Sequence, residues 1–149
     1  MAAHVTILPP RELAVSESTA LQFLEEVCSR VVPFDVELGD VETFVPSTPT
    51  VFIQVTRGSY RLGELHDQIA TGALCCPEEW PYVPHLTIVK MELDQQALDA
   101  CDLARERWSQ FQGKRQIQVD ELTFVREDAD CWYDVASVPL GRSLLSPRP

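Results

Sequence analysis

The sequence predicts an α+β fold with several antiparallel strands, on three observations. Apolar residues recur at helical spacing in three separate segments. Short segments rich in β-branched and aromatic residues lie between them, and an acidic turn separates the last two of these. The resulting order is strand, helix, strands, helix, strand, helix, strands, which is typical of the α+β class.

Three amphipathic segments are predicted to be helices. The first begins after Ser16 or Ser18, either of which can cap it, and Pro33 limits its end. The second ends near Gly72, and Gly113 closes the third. Their apolar stripes are Leu21, Leu24, Val27, Cys28 and Val31 in the first, Leu62, Leu65 and Ile69 in the second, and Ala97, Leu98, Cys101, Ala104, Trp108 and Phe111 in the third.

The extended segments are residues 3–8, 34–38, 41–45, 51–55, 85–89, 117–125 and 132–138. Pro9-Pro10 stops the first of them, because proline cannot donate to a ladder. Gly39-Asp40 is a turn signal between the second and the third. The acidic tip at residues 127–130 lies between the last two, so we expect these two strands to form an antiparallel hairpin.

The composition limits the classes of partner. The chain has 149 residues, of which 23% are charged, and its formal net charge is −11. A long nucleic-acid duplex prefers a basic surface, so broad gripping of RNA or DNA is a poor fit. A small phosphate ester or a single RNA end stays compatible with this charge. The five cysteines have no paired framework and no metal-ligand spacing, so we expect reduced thiols.

The sequence has no targeting or membrane signal. Its start lacks a basic region followed by an apolar one, and no apolar run approaches the ~20 residues of a membrane span. We therefore expect a cytoplasmic protein with no membrane partner. We also expect one domain over residues 1–140 and a frayed tail over residues 141–149.

One short pattern occurs twice, as His4-Val5-Thr6 and as His85-Leu86-Thr87. In a strand, residues i and i+2 point to the same face, so each histidine shares a face with its threonine. The chain has three histidines, and two of them occupy this identical setting. If the two strands lie side by side, both pairs line one groove.

Such a groove suits phosphoester chemistry. The unperturbed pKa of histidine is about 6.5, so one imidazole can take a proton from an attacking water or hydroxyl while the other donates one to the departing ribose oxygen. The threonine hydroxyls can donate hydrogen bonds to the phosphate oxygens, where charge accumulates. This arrangement requires no metal ion or other cofactor.

The two motifs and their surroundings, His4-Val5-Thr6-Ile7-Leu8-Pro9-Pro10 and Pro84-His85-Leu86-Thr87-Ile88-Val89, resemble the signature of the two-histidine phosphoesterase superfamily and its 2′-5′ RNA ligase-like family. The resemblance continues through Leu122-Thr123-Phe124-Val125 and Val138-Pro139-Leu140 and covers most of the chain. It implies a bilobal α+β domain in which antiparallel sheets flank a central groove, helices pack outside, and each half supplies one motif strand.

The resemblance also implies an activity. Family members hydrolyse 2′,3′-cyclic phosphates or related cyclic phosphodiesters, or act on 2′-5′ linkages in RNA. His4 and His85 would then be the acid/base pair, and Thr6 and Thr87 would hold the phosphate. The implied partner is a small cyclic-phosphate nucleotide or an RNA terminus. Which histidine is the acid, and whether the reaction is hydrolysis or ligation, stays open.

The sequence departs from the family at its start. Family members usually carry about one strand and one helix before the first motif, whereas His4 is almost the first residue here. A missing central strand would expose a sheet edge and part of the core. We therefore expect that the sequence lacks an N-terminal β-α unit of the full domain.

Five further residues are candidates for substrate binding. Trp80 and Tyr82 precede the second motif and can stack on a base or ribose, although loop packing explains them as well. Arg11 and Lys90 end the two motif strands and can meet phosphate, or can be solvated charges at the rim. Arg126 ends a late strand and can reach the groove.

Other interpretations remain beside the hydrolase. His66, on the second helix, is expected to face solvent. The same fold can serve as a module that binds nucleotides or an RNA end without turnover. A metal enzyme can be built from His4, His85 and a carboxylate, and it would lose activity on chelation, whereas the acid/base pair predicts chelator resistance and a bell-shaped pH profile.

Overall fold

The protein is described here by a computed structural model over residues 2–141. The α+β fold with antiparallel sheets that is expected from the sequence is confirmed. Within these residues the elements are, in chain order, α1 (Glu17–Ser29), β1 (Phe34–Thr43), β2 (Thr50–Val55), α2 (Ser59–Ile69), a 3₁₀ turn (Gly72–Leu74), β3 (His85–Lys90), α3 (Asp94–Ser109), β4 (Gln116–Val119), β5 (Glu121–Asp128) and β6 (Cys131–Pro139).

Two antiparallel sheets organise the strands. One has four strands in the order β3-β2-β1-β4, and the other is the β5-β6 hairpin. The central strand β2 is mostly buried, and its Val51, Ile53 and Val55 belong to the hydrophobic core. Side chains alternate along a strand, so Phe52 and Gln54 lie on the opposite face of the sheet.

The expected turn at Gly39-Asp40 is wrong, because β1 continues through it. The register with β2 shifts between Leu38 and Val41, as it does where a β-bulge accommodates extra residues. Helix α3 covers the open edge of β1 there: Trp108 Nε1 donates to the Gly39 carbonyl at 2.8 Å, and Arg105 Nε to the Val41 carbonyl at 3.1 Å.

The single long strand expected at residues 117–125 is also wrong. Asp120 separates β4 from β5, and the two strands enter different sheets. β4 pairs with β1, whereas β5 pairs with β6, so the expected hairpin is confirmed but is shorter at its start. The hairpin turns at Ala129 and Asp130, which both have positive φ.

One hydrophobic core joins the helices to the sheet. Ser16 caps α1 by accepting the Thr19 N–H at 3.2 Å, and the helix buries Ala20, Leu24 and Cys28. Helix α2 buries Leu62, Leu65, His66 and Ile69, which recur at helical spacing. Helix α3 contributes Ala97 and Cys101.

The strand expected over residues 3–8 is wrong: only Val5 makes a bridge, to Leu86 in β3.

The described chain ends on the core. Leu140 and Gly141 are buried, and the Gly141 N–H donates to the Cys28 carbonyl at 2.9 Å. The frayed tail is expected over residues 141–149, of which 142–149 lie outside the described residues. Among residues 2–141, no helix is both long and apolar enough to cross a membrane.

Candidate functional site

The two motifs meet where the N-terminal segment lies along β3. Val5 and Leu86 form an antiparallel bridge, and both side chains pack against the hydrophobic core. Neighbouring residues of extended chain point to opposite faces. The histidine and the threonine of each motif therefore lie on the face that points away from the core.

The direction of the bridge sets which motif residues are neighbours. In an antiparallel pair the residues step in opposite directions, so His4 lies across from Thr87 and Thr6 lies across from His85. The two histidines are then diagonal neighbours, for which Cβ atoms are ~7–8 Å apart. His4 and Thr87 are exposed, and Thr6 and His85 are half-buried. The structure thus brings all four motif side chains to adjacent positions.

The two imidazoles are held in the same way. His4 Nδ1 lies 2.9 Å from the Ala2 carbonyl, and His85 Nδ1 lies 2.6 Å from the Val83 carbonyl. A carbonyl can only accept, so Nδ1 carries the proton in both rings. The lone pair of each neutral imidazole is then on Nε2. Each ring can therefore accept or deliver a proton at Nε2 while its orientation stays fixed.

A pair of phenylalanines packs beneath His85. The Phe44 and Phe52 rings stack at 4.0 Å between centroids, and the His85 ring meets them edge-on at 5.0 and 5.4 Å. Phe52 also pairs across from Thr87 in the sheet. Neither phenylalanine is predicted from the sequence as part of the site. The available signal was alternation in β2, which places Phe52 on the same face as the second motif.

Tyr82 is engaged by the protein rather than open to a base. Its hydroxyl donates to the Thr6 carbonyl at 2.9 Å, and its ring stacks on His66 with 4.4 Å between centroids. Burial, with a smaller contribution from the charge of Glu78, raises the pKa of the Tyr82 phenol well above its ordinary value. The expected stacking on substrate is therefore corrected to a contact that holds the first motif.

Arg11 is corrected in the same way. It is neither a solvated rim charge nor free for phosphate, because its side chain is only 7% exposed. Its guanidinium donates to the Pro9 and Leu74 carbonyls and, at 2.8 Å, to the Glu78 carboxylate. A guanidinium with these donors committed inside the protein is a structural cation.

The expectation that His66 faces solvent is wrong. It is buried in α2, with Nε2 2.9 Å from a Glu78 carboxylate oxygen and Nδ1 3.0 Å from Asp67. The signal for burial was present in the sequence, since residue 66 falls within the apolar stripe formed by Leu62, Leu65 and Ile69. Its partner Glu78 is twelve residues away, and no local pattern marks that contact.

The other three candidates stay on the surface. Trp80 is 54% exposed in the loop before β3. Lys90 is exposed at the end of β3, where it pairs across from Thr50. Arg126 lies on the β5-β6 hairpin, 3.4 Å from the Glu17 carboxylate and over the Tyr133 ring. Arg126 is thus directed to α1, and no contact brings it to the motifs within the described residues.

Two hollows of the described chain lie away from the motifs. One of about 300 Å³ is bounded by β1 and α3, and an apolar one of about 400 Å³ lies between α3 and the edge of the sheet. Neither includes a motif residue. Among residues 2–141, no cluster of three or more His, Cys, Asp or Glu side chains is arranged to hold a metal ion.

The fold and the paired motifs define a protein of the two-histidine phosphoesterase class. Residues 1–130 match the model of the 2′-5′ RNA ligase superfamily, and the chain belongs to that superfamily.

Its bacterial relatives carry provisional phosphoesterase names. A protein of Halalkalibacterium halodurans is 29% identical over 140 residues, which cover 93% of this chain and 80% of the relative. Another, from Bacillus cytotoxicus, is 26% identical and covers 93% and 79%. A third, from Oceanobacillus iheyensis, is 25% identical and covers 84% and 71%. The family and these names support an activity of the phosphoesterase or ligase type.

Proposed function

We propose that this chain is a phosphoesterase that opens the 2′,3′-cyclic phosphate of a small nucleotide or an RNA end, with His4 and His85 as its acid/base pair. The observation that carries the proposal is the matched state of the two imidazoles. Each is oriented through Nδ1 by a backbone carbonyl, so each offers Nε2 for proton transfer.

The reaction needs one base and one acid on opposite sides of the phosphorus. Nε2 of one neutral imidazole removes a proton from water as its oxygen attacks phosphorus. Nε2 of the other, protonated imidazole donates to the ribose oxygen as the P–O bond breaks. The products are a phosphomonoester and a free ribose hydroxyl, and the proton gained by the first ring replaces the one lost by the second. This chemistry requires no metal ion.

The threonines and the neighbouring surface supply binding. The hydroxyls of Thr6 and Thr87 can donate to the non-bridging oxygens, where negative charge grows in the transition state. Trp80 is exposed before the second motif, which makes it suitable for stacking on a base. Lys90 lies on the same strand as His85 and Thr87, and its ammonium can attract the phosphate. We therefore assign substrate binding to Trp80 and Lys90.

The test is hydrolysis of a panel of 2′,3′-cyclic mononucleotides, followed by phosphomonoester release. The wild-type chain should turn over with a bell-shaped pH profile and should keep its activity in EDTA. His85→Ala and His4→Ala should each lower kcat by about 10²–10⁴-fold. Ile88→Ala is the matched control, because Ile88 lies on the same strand, is 43% exposed and is not a motif residue.

Three results would contradict the proposal. Binding of the cyclic nucleotides without turnover would favour a binding module. Loss of activity in EDTA, restored by a divalent cation, would favour a metal enzyme. Equal activity in His85→Ala and Ile88→Ala would remove the imidazole from the reaction.

A further inference from the structure

A polar cluster joins the N-terminal segment to the rest of the molecule. It consists of Arg11, His66, Glu78 and Tyr82, which come from the N-terminal segment, from α2 and from the loop before β3. The side chains of Arg11, His66 and Glu78 are 7%, 11% and 18% exposed. Buried polar groups of this kind are costly unless they are paired, and every member here has a partner.

Glu78 is the centre of the cluster. Its carboxylate accepts from Arg11 Nη2 at 2.8 Å and lies 2.9 and 3.0 Å from His66 Nε2. Burial alone would raise the pKa of Glu78, but the hydrogen bonds from Arg11 and His66 outweigh it, and the pKa is lowered. The carboxylate therefore stays ionised and holds the Arg11 guanidinium and the His66 ring in place.

The cluster reaches the first motif at two points. Tyr82 donates its hydroxyl to the Thr6 carbonyl, and Arg11 donates to the Pro9 carbonyl at 3.1 Å. The backbone pairing of residues 2–10 is the single bridge from Val5. With one bridge, the position of the segment depends on side-chain contacts. Val5, Ile7 and Leu8 pack against the core, and the Tyr82 and Arg11 side chains hold two of the segment's carbonyls.

The same loop also delivers the second motif. Tyr82 and His85 are three residues apart, and the His85 imidazole is oriented by the Val83 carbonyl between them. The hydrogen bond from Tyr82 to the Thr6 carbonyl therefore links the first motif to a residue only three positions before His85 of the second motif. This contact thus acts beside the Val5–Leu86 bridge in setting the spacing between the motifs.

We propose that Tyr82, held by the His66–Glu78–Arg11 cluster, is a positioning residue that sets the first motif against the second. It acts through the Thr6 carbonyl and does not touch the substrate. This inference rests on the proposed function for its catalytic consequence. The positional part is independent of it, since the contact holds residues 4–8 whatever reaction they perform.

The kinetic test is Tyr82→Phe, which deletes the hydroxyl and keeps the ring on His66. On 2′,3′-cyclic CMP, kcat should fall on the order of tenfold while KM stays within about twofold, because misplaced groups impair the transition state more than binding. Tyr60→Phe is the matched control, since Tyr60 is 67% exposed on α2, and it should match the wild type. Equal kcat in both variants would overturn the catalytic role.

A second measurement separates this inference from the proposed function. Amide hydrogen exchange of residues 4–8 should quicken on the order of fivefold in Tyr82→Phe, because one hydrogen bond that holds the segment is lost. The amides of β1 and β2 should be unchanged. If the wild type proves inactive on every cyclic nucleotide, faster exchange still supports the positioning contact. Unchanged exchange at residues 4–8 would overturn it even in an active enzyme.

Discussion

At the residue scale, the proposed chemistry depends on how each imidazole is oriented. Many histidines that transfer protons are held by a distant carboxylate, but here a carbonyl two residues back along the chain does the same for both rings. That contact is local, so it needs no partner from elsewhere in the fold. The same orientation can therefore arise at both His-x-Thr motifs, because each histidine uses the backbone that precedes it.

Thr87 provides a residue-scale prediction. It is exposed on β3 and two residues beyond His85, so its hydroxyl is free to meet a phosphate oxygen. Thr87→Val should lower kcat by about 10²-fold, which is typical for the loss of one donor to a developing oxyanion, with no loss of stability. Thr87→Ser should keep most of the activity. Thr123→Val, at an exposed position in β5, should leave the kinetics unchanged.

The motif side chains could be predicted from the sequence, but their supports could not. In extended chain the histidine and the threonine of each His-x-Thr motif share a face, so four neighbouring side chains follow once the two segments lie side by side. The sequence leaves Arg11 as a phosphate contact or a solvated rim charge and predicts that His66 faces solvent, because charged and polar residues are usually exposed. Their burial depends on Glu78, which is 67 residues from Arg11. A single sequence does not record which acidic side chain will meet them.

At the element scale, the strands show where periodicity fails. Residues 3–8 have the composition of a strand, yet only one bridge forms there, because composition does not create a pairing partner. Residues 117–125 also look like one strand, but Asp120 lies between two short strands that pair with different neighbours. In both cases the local propensity is correct, and tertiary pairing decides the outcome.

Two glycines in and beside α2 give a matched element-scale prediction. Gly58 precedes the helix with φ +82°, and a Cβ there would collide with the Asp35 carbonyl. Gly58→Ala should therefore destabilise the protein by about 1–2 kcal/mol. Gly63 lies inside the helix with open space around its Cα, so Gly63→Ala should stabilise by ~1 kcal/mol. Urea unfolding measures both; equal effects would mean that backbone geometry at Gly58 is unimportant.

At the scale of the whole molecule, the net charge agrees with the small substrate that we propose. A net charge of −11 repels a long polyanion, and Lys90, which we propose as a phosphate contact, is exposed at the end of the strand that carries His85 and Thr87. One phosphate at the end of a nucleotide needs only such local attraction. The acidic surface therefore selects against duplex binding without preventing contact at a single phosphate.

The polar cluster makes whole-molecule stability depend on pH. The pKa of Glu78 is lower in the folded chain than its ordinary value of 4.5. Its ionised form therefore stabilises the fold fully above that value. This contribution is lost as the pH falls through the pKa of the folded chain. Glu78→Gln should cost about 2 kcal/mol at neutral pH, because Arg11 and His66 lose a charged acceptor. The difference in the free energy of unfolding between Glu78→Gln and the wild type should narrow steadily as the pH falls. Glu79→Gln, at an exposed neighbouring position, should unfold with the same free energy as the wild type at neutral and at acid pH. A gap for Glu78→Gln that is constant from neutral to acid pH would mean that the carboxylate charge does not hold the N-terminal segment to α2.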